Sequence, residues 1–190
     1  MRRLIHVPII HSLEDFGSQQ EAVRRAYVAR YGIRAWQQHL QGVKQFWQAV
    51  RHAAQPLAKR AARLRIYQDG LPVCGREAEL VRELAAQGSE NHRLVLALVE
   101  RGALLIGTED PDLLRQEHER SRRLETVPEV APGAHYDELM ERRDRYVAAR
   151  IDATLGGEPE TGLLFMGALH RVVERLPKDI TVTRLPGGPG

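Results

Sequence analysis

Hydrophobic and polar positions alternate along the chain in blocks whose period switches between that of a strand and that of a helix. Residues 3–10, RLIHVPII, are apolar and β-branched and predict a buried strand, with Pro8 marking an edge or a bend. After a polar stretch from His11 to Gly17, Ser18 and Glu21 stand in capping-box spacing and predict a helix to about Tyr31, ended by Gly32. A second helix is predicted from Ile33 to about Ala54. Trp36, Leu40, Val43, Trp47 and Val50 fall three and four apart on one face of it, and Pro56 interrupts it. RLRIYQ at 63–68 predicts a short strand and Asp69-Gly70 a turn. Helices over 76–87 and 90–101 follow, the second capped by Ser89, and each ends at a glycine. ALLIG at 103–107 has the composition of a buried strand, and Asp110-Pro111 opens a helix over 111–123. Beyond a Pro- and Gly-rich loop come a long helix over about 136–155 and TGLLFMG at 161–167, the last strong core strand. A short helix to Leu176 and the terminal strand DITVTRL complete the order.

Strands alternating with helices imply an α/β fold with a mainly parallel sheet of about five strands and helices on both faces. Two helices between the first and second strands predict a helical hairpin or lid after strand one. The expectation is one domain over 1–185, with a flexible tail at 186–190, PGGPG.

Composition narrows the class. Of 190 residues, 43% are hydrophobic and 28% charged, which suits a folded body rather than a disordered one. No apolar run approaches the length of a bilayer span, and a single cysteine, Cys74, permits no internal disulfide, so a cytoplasmic location with no membrane partner is expected. The net charge is +3, with lysine at only three positions (44, 59 and 178) and arginine supplying the remaining bases. The arginines are interleaved with acids, as in RRLETVPE and ELMERRDRY, which describes solvated helix surfaces and argues against a nucleic-acid partner. A small-molecule or peptide substrate is expected instead, with a homodimer as the default assembly.

In a parallel sheet, residues just past the carboxyl ends of the strands converge on one rim, where ligands bind. The predicted exits carry His11, Glu14 and Asp15 after strand one, Asp69 after strand two, Thr108 and Glu109 after strand three, and Gly167 and His170 after strand four. Asp15 and Asp69 have ordinary turn roles, and Glu109 precedes a helix start where an acid is favoured anyway. His11 and His170 have no capping role, so they stand out. On the long helix Met140, Val147 and Ile151 mark the buried stripe, with Arg143 and Asp144 in or beside it. That pair is either a structural ion pair or an arginine reaching the rim to hold an anion or a catalytic carboxylate. His6 lies within strand one, and His39, His52, His92, His118 and His135 are expected on helix surfaces or loops.

Two histidines and one or two carboxylates suit a divalent transition metal that activates water, or a metal-free acid/base pair. The metal set would be His11, Glu109 and His170, with Arg143 as an electrostatic clamp and Asp15, Asp69, Asp144 and Gly167 lining the ligand site. No H-E-x-x-H, Walker loop, G-x-S-x-G or G-x-G-x-x-G motif is present. The expected activity is that of a metal-assisted hydrolase acting on a peptide, ester or similar bond. The same histidines also suit a non-catalytic haem-, metal- or small-ligand-binding protein or sensor. A third option is a scaffold whose Trp36 and Trp47 helix binds a partner.

The chain ends carry a resemblance. IHVPIIHSLEDFG, RRDRYVAARIDATL, GLLFMGALHRV with its G-A-x-H close, and the L-P-x-x-I-x-V segment at 176–182 resemble the superfamily of TraB/PrgY/Tiki proteins, erythromycin esterases and ChaN-like haem-binding proteins. The likeness covers roughly the first 20 and last 55 residues. It implies an α/β fold with the polar site on the strand ends, and metal-dependent hydrolysis or haem binding. The matching positions are His11, Arg143, Gly167 and His170, with Glu109 the counterpart of an acid after a middle strand. The Gly-Glu-x-His form of the esterase branch is missing from strand one.

Overall fold

The computed structural model describes residues 1–10, 20–126 and 134–185. Its elements are β1 (Arg2–Ile9), α1 (Gln20–Tyr31), α2 (Ile33–Ala58), β2 (Leu64–Gln68), α3 (Glu77–Ala86), α4 (Glu90–Val99), β3 (Leu104–Ile106), α5 (Pro111–Thr126), α6 (Ala134–Thr154), β4 (Thr161–Gly167) and β5 (Ile180–Arg184). All five strands are parallel, in the order β3-β2-β4-β1-β5. The α/β expectation holds, with helices on both faces.

Alternation along the strands divides the core in two. Val7, Ile9, Leu64, Ile66, Leu163 and Phe165 point to one face. There they meet α2 through Val43, Phe46, Trp47 and Val50, α3 through Val81, and α4 through Leu94, Val95 and Leu98. Leu4, Tyr67, Leu164 and Met166 point to the other, where Val147, Ala148, Ile151 and Leu155 form the buried stripe of α6. The crossovers from β1 to β2 to β3 therefore run on the first face, and the return through α6 to β4 on the second. Reversing direction with a change of face is what crossovers of one hand require.

Two expectations are corrected. β1 is an inner strand, not an edge. Its even-numbered backbone groups face β5, as the bond from the Leu185 amide to the His6 carbonyl and from the Arg2 amide to the Asp179 carbonyl require. β5 pairs only as far as His6, so the amide that Pro8 lacks would have met no strand. Pro56 does not end α2, which continues to Ala58. So near the helix end, a proline removes at most one ladder bond.

The hairpin after β1 exists, but its two arms differ. Helix α1 has no buried residue, whereas Trp36, Phe46, Trp47 and Val50 of α2 are buried and the Trp47 indole donates to the Ile10 carbonyl at 3.1 Å. The second arm is core, which removes Trp47 from any partner-binding stripe; Leu40, expected on the buried face, is exposed. No helix among the described residues is long and apolar enough to cross a membrane.

Candidate functional site

Loops leaving β2 turn to the α3–α4 face, and the segment leaving β4 turns to the α6 face, where Val172 is buried. Two adjacent parallel strands whose connections part in this way open a crevice at their carboxyl ends. Asp69 follows β2 and Gly167 closes β4, so both stand at the mouth of that crevice. The Asp69 amide donates to the Phe165 carbonyl at 2.8 Å, and the Gly167 amide donates to Asp69 Oδ2 at 2.9 Å. The Asp69 carboxylate is thereby fixed across the strand boundary.

Glu109 arrives from β3 by a backbone clamp. The amides of Thr108 and Glu109 both donate to the Leu71 carbonyl, and the Val73 amide donates to the Glu109 carbonyl. The Asp69-Gly70 turn, with Gly70 at φ 71°, directs the Gly70 amide to Glu109 Oε1 at 3.1 Å. What reads in sequence as a routine turn is here part of the site.

Helix α6 returns the chain from the end of β3 to the start of β4, so it runs antiparallel to the strands and its earlier turns overlie their carboxyl ends. Arg143 and Asp144 lie one turn before Val147 and Ala148, on the same buried stripe. Arg143 grips Glu109 bidentately, with Nε 2.8 Å from Oε2, and its Nη2 lies 3.2 Å from Asp69 Oδ1. Its Nη1 donates to Glu117 of α5. Arg143 and Asp144 do not pair with each other as the first expected reading had it: Arg143 reaches the rim and pairs with Glu109, Glu117 and Asp69, while Asp144 turns to His170. Glu109 is 0% exposed and Arg143 4%.

His170 is placed by a turn after β4, its amide donating to the Gly167 carbonyl at 3.1 Å. The imidazole Nδ1 lies 2.5 Å from Asp144 Oδ1, while Asp144 Oδ2 accepts from the Arg171 amide at 2.7 Å. The other ring nitrogen, Nε2, lies 3.6 Å from Asp69 Oδ1. Asp144 thus orients the ring, and Asp69 stands opposite its second nitrogen.

Electrostatics follow from burial and this pairing. Burial alone would pull the His170 imidazolium down, but the bond to Asp144 and the charge of Asp69 outweigh it and hold its pKa above the ordinary histidine value. Burial pushes the Glu109 carboxyl up, against the opposing pull of Arg143. Burial would likewise lower Arg143, yet Glu109, Glu117 and Asp69 keep it above the ordinary arginine range. Four carboxylates, Asp69, Glu109, Glu117 and Asp144, meet Arg143, His170 and, 3.9 Å from Asp144, Arg175.

Four of these groups, Asp69, Glu117, Arg143 and His170, line a cavity of about 480 Å³, with Glu109 and Asp144 behind them. Arg143, His170, Asp69 and Glu117 form its charged side, and Ile9, Leu84, Leu114 and Met140 contribute apolar surface. Asp69, Glu109 and His170 each offer a ligand atom within 4.8 Å of the others, a spacing that suits one metal ion. Both oxygens of Glu109 accept from Arg143, and both oxygens of Asp69 accept too, Oδ2 from the Gly167 amide at 2.9 Å and Oδ1 from Arg143 at the longer 3.2 Å, so Asp69 is the less tightly held of the two carboxylates.

The structure unites Asp69, Glu109, Arg143, Asp144, Gly167 and His170. His11 and Asp15, with the neighbouring Glu14, lie outside the described residues, as does the tail at 186–190. Of the remaining histidines, His52 and His118 are exposed and His39 stacks on Tyr27, whereas His92 is buried at the cavity. That corrects its expected place on a helix surface. The reason is that Ser89 caps α4 and also bonds the His92 ring at 2.7 Å, turning it inward. Glu117, Gln68 and Asn91 are site residues that sequence reasoning missed. Glu117 sits in an acid- and arginine-rich helix with nothing to mark it, whereas Gln68, a polar residue closing an apolar strand, was a usable signal.

No protein-family model matches this chain, and comparisons with curated proteins and with solved structures likewise find no match.

Proposed function

We propose that the protein is a metal-assisted hydrolase acting at the carboxyl-end rim of its sheet, on a peptide, ester or similar bond. The observation that carries this reading is the His170 ring, held at Nδ1 by Asp144 with Nε2 3.6 Å from Asp69 Oδ1. Asp69 Oδ1 also meets Arg143 Nη2 at 3.2 Å, so the pair is not empty of positive charge. What supports a metal ion is that Asp69, Glu109 and His170 each offer a ligand atom within 4.8 Å of the others in a carboxylate-rich setting. A carboxylate behind a histidine is also how proteins orient metal-binding imidazoles and raise their basicity.

Asp69 and His170 would hold the ion, with Glu109 in reach. A divalent transition metal held there would supply an activated water and a Lewis acid for a carbonyl oxygen. The protein's own contribution is positional. Gly167 fixes Asp69, Asp144 fixes His170, and Arg143 ties Glu109 and Asp69 into one rigid unit, so little reorganisation is needed when substrate enters.

The test is hydrolysis of a panel of p-nitrophenyl esters and aminoacyl anilides by wild type, His170→Ala and Asp69→Asn, each before and after chelation. Turnover that disappears on chelation, returns with metal and is absent from both variants supports the reading. Turnover indifferent to chelation assigns His170 and Asp69 to metal-free acid/base work, and turnover indifferent to both substitutions overturns the site.

A further inference from the structure

The side of the cavity facing α4 carries two polar groups that the mechanism above leaves idle. Gln68 and Asn91 both line the cavity, and each is 1% exposed. Gln68 Nε2 donates to the Asp69 carbonyl at 3.2 Å, which sets the orientation of the amide and leaves Oε1 as the other end. Neither Gln68 Oε1 nor Asn91 Oδ1 has a hydrogen-bond partner among the described residues. A buried carbonyl without a donor forfeits its hydration with nothing in return, so two in one cavity require a reason.

We propose that Gln68 and Asn91 receive a substrate nitrogen bearing at least two hydrogens, the N–H2 of a primary amide or the N–H3+ of a protonated primary amine, and so set its class. The inference rests on the hydrolase reading for the word substrate, but not for the binding itself. Two separate acceptors need two donors; a hydroxyl brings one and an N–H2 group two. The terminal amide torsion of Asn91 is soft, so its oxygen can turn onto a donor that enters the cavity, whereas Gln68 Oε1 is held in place by the Nε2 bond to Asp69. Asp69 and Glu117 on the same cavity add acceptors, which suits a donor-rich group; Arg143 and His170 offset their charge, so the selection rests on donors rather than on net charge. A site built to satisfy donors rejects an analogue that lacks them, because its acceptors are again left unpaired.

The experiment measures binding of benzamide and benzylamine by ligand-observed NMR. Their counterparts without N–H, N,N-dimethylbenzamide and benzyltrimethylammonium, serve as controls, and full-length wild type is compared with Gln68→Met/Asn91→Leu. That double variant removes two unpaired acceptors and one hydrogen bond, from Gln68 Nε2 to the Asp69 carbonyl, so its Tm is expected to stay close to that of wild type. Wild type should favour at least one N–H2 probe over its control by about tenfold, and the double variant should lose that preference. Whichever pair shows the larger loss identifies amide or amine as the group received. Equal binding of probe and control, binding unchanged in the double variant, or no binding at all, the mark of a cavity filled by water only, overturns the proposal. His170→Ala keeps the two readings apart: lost metal binding with retained N–H2 preference supports both. Preference without any metal binding in wild type removes only the hydrolase reading.

Discussion

Asp144 and His170, 26 residues apart on α6 and on the turn after β4, are joined by a 2.5 Å contact between Oδ1 and Nδ1, both side chains at most 5% exposed. Asp144 also accepts from the Arg171 amide, so it ties the helix to the loop and sets the direction of the ring. Replacing it by Asn keeps the size but removes the charge and offers a donor to Nδ1. Asp144→Asn is expected to bind transition metal 10- to 100-fold more weakly, in line with other outer carboxylates, while its near-ultraviolet circular dichroism stays that of wild type. Unchanged affinity in a competition assay with a metal chelator would show that the carboxylate only braces the loop.

Arg143 and Glu109 are buried together, and removing one strands the other's charge. Arg143→Met should cost about 3–5 kcal/mol in urea unfolding. Adding Glu109→Leu to it should recover much of that loss, because the pair then leaves together. If the double variant is as unstable as the sum of the single ones, the two residues are not coupled and the buried-pair account fails.

His6 lies within β1 on the α6 face, with Nε2 buried and unpartnered among the described residues. Burial first, and the charge of Arg184 second, lower its pKa from 6.5. The unfolded chain therefore takes up this proton more readily than the folded one. The stability due to neutral His6 is complete above the unfolded value and is lost as pH falls through that value toward the depressed folded one. His170 has the opposite sign, its raised pKa favouring the folded state at the acid side. His6→Leu should consequently lose less stability than wild type between pH 7.5 and 5. Parallel losses in urea titrations at the two pH values would contradict this.

Trp47 is 2% exposed, packs edge-on against Phe46 and bonds the Ile10 carbonyl. Trp47→Ala is expected to destabilise by about 3–5 kcal/mol through lost burial and the cavity left behind. A loss under about 1 kcal/mol would return this side chain to the role of a surface stripe.

Element order was readable because each helix or strand carries its own period, cap or breaker. Ser89, Gly102 and Asp110-Pro111 fall at element ends, as expected. Strand order was not readable, since nothing local says that β4 inserts between β1 and β2. The position of Pro8 misled for the same reason: whether a missing amide matters depends on where the neighbouring strand stops. Arg143, Asp144 and His170 were legible as charge on a buried stripe and as a histidine after a core strand. Glu117 was not, because a helix surface rich in Glu and Arg looks alike whether or not another helix packs beside it, and Asn91 was not, because a polar residue in the first turn of a helix ordinarily faces solvent.

Asp69 and His170, proposed to hold a metal ion, are tested most directly by metal stoichiometry, measured by mass spectrometry after equilibration with a divalent transition metal and gel filtration. Wild type is expected to carry about one ion per chain, with His170→Ala and Asp69→Asn carrying close to none while circular dichroism remains native. Equal metal content in wild type and both folded variants would contradict the account.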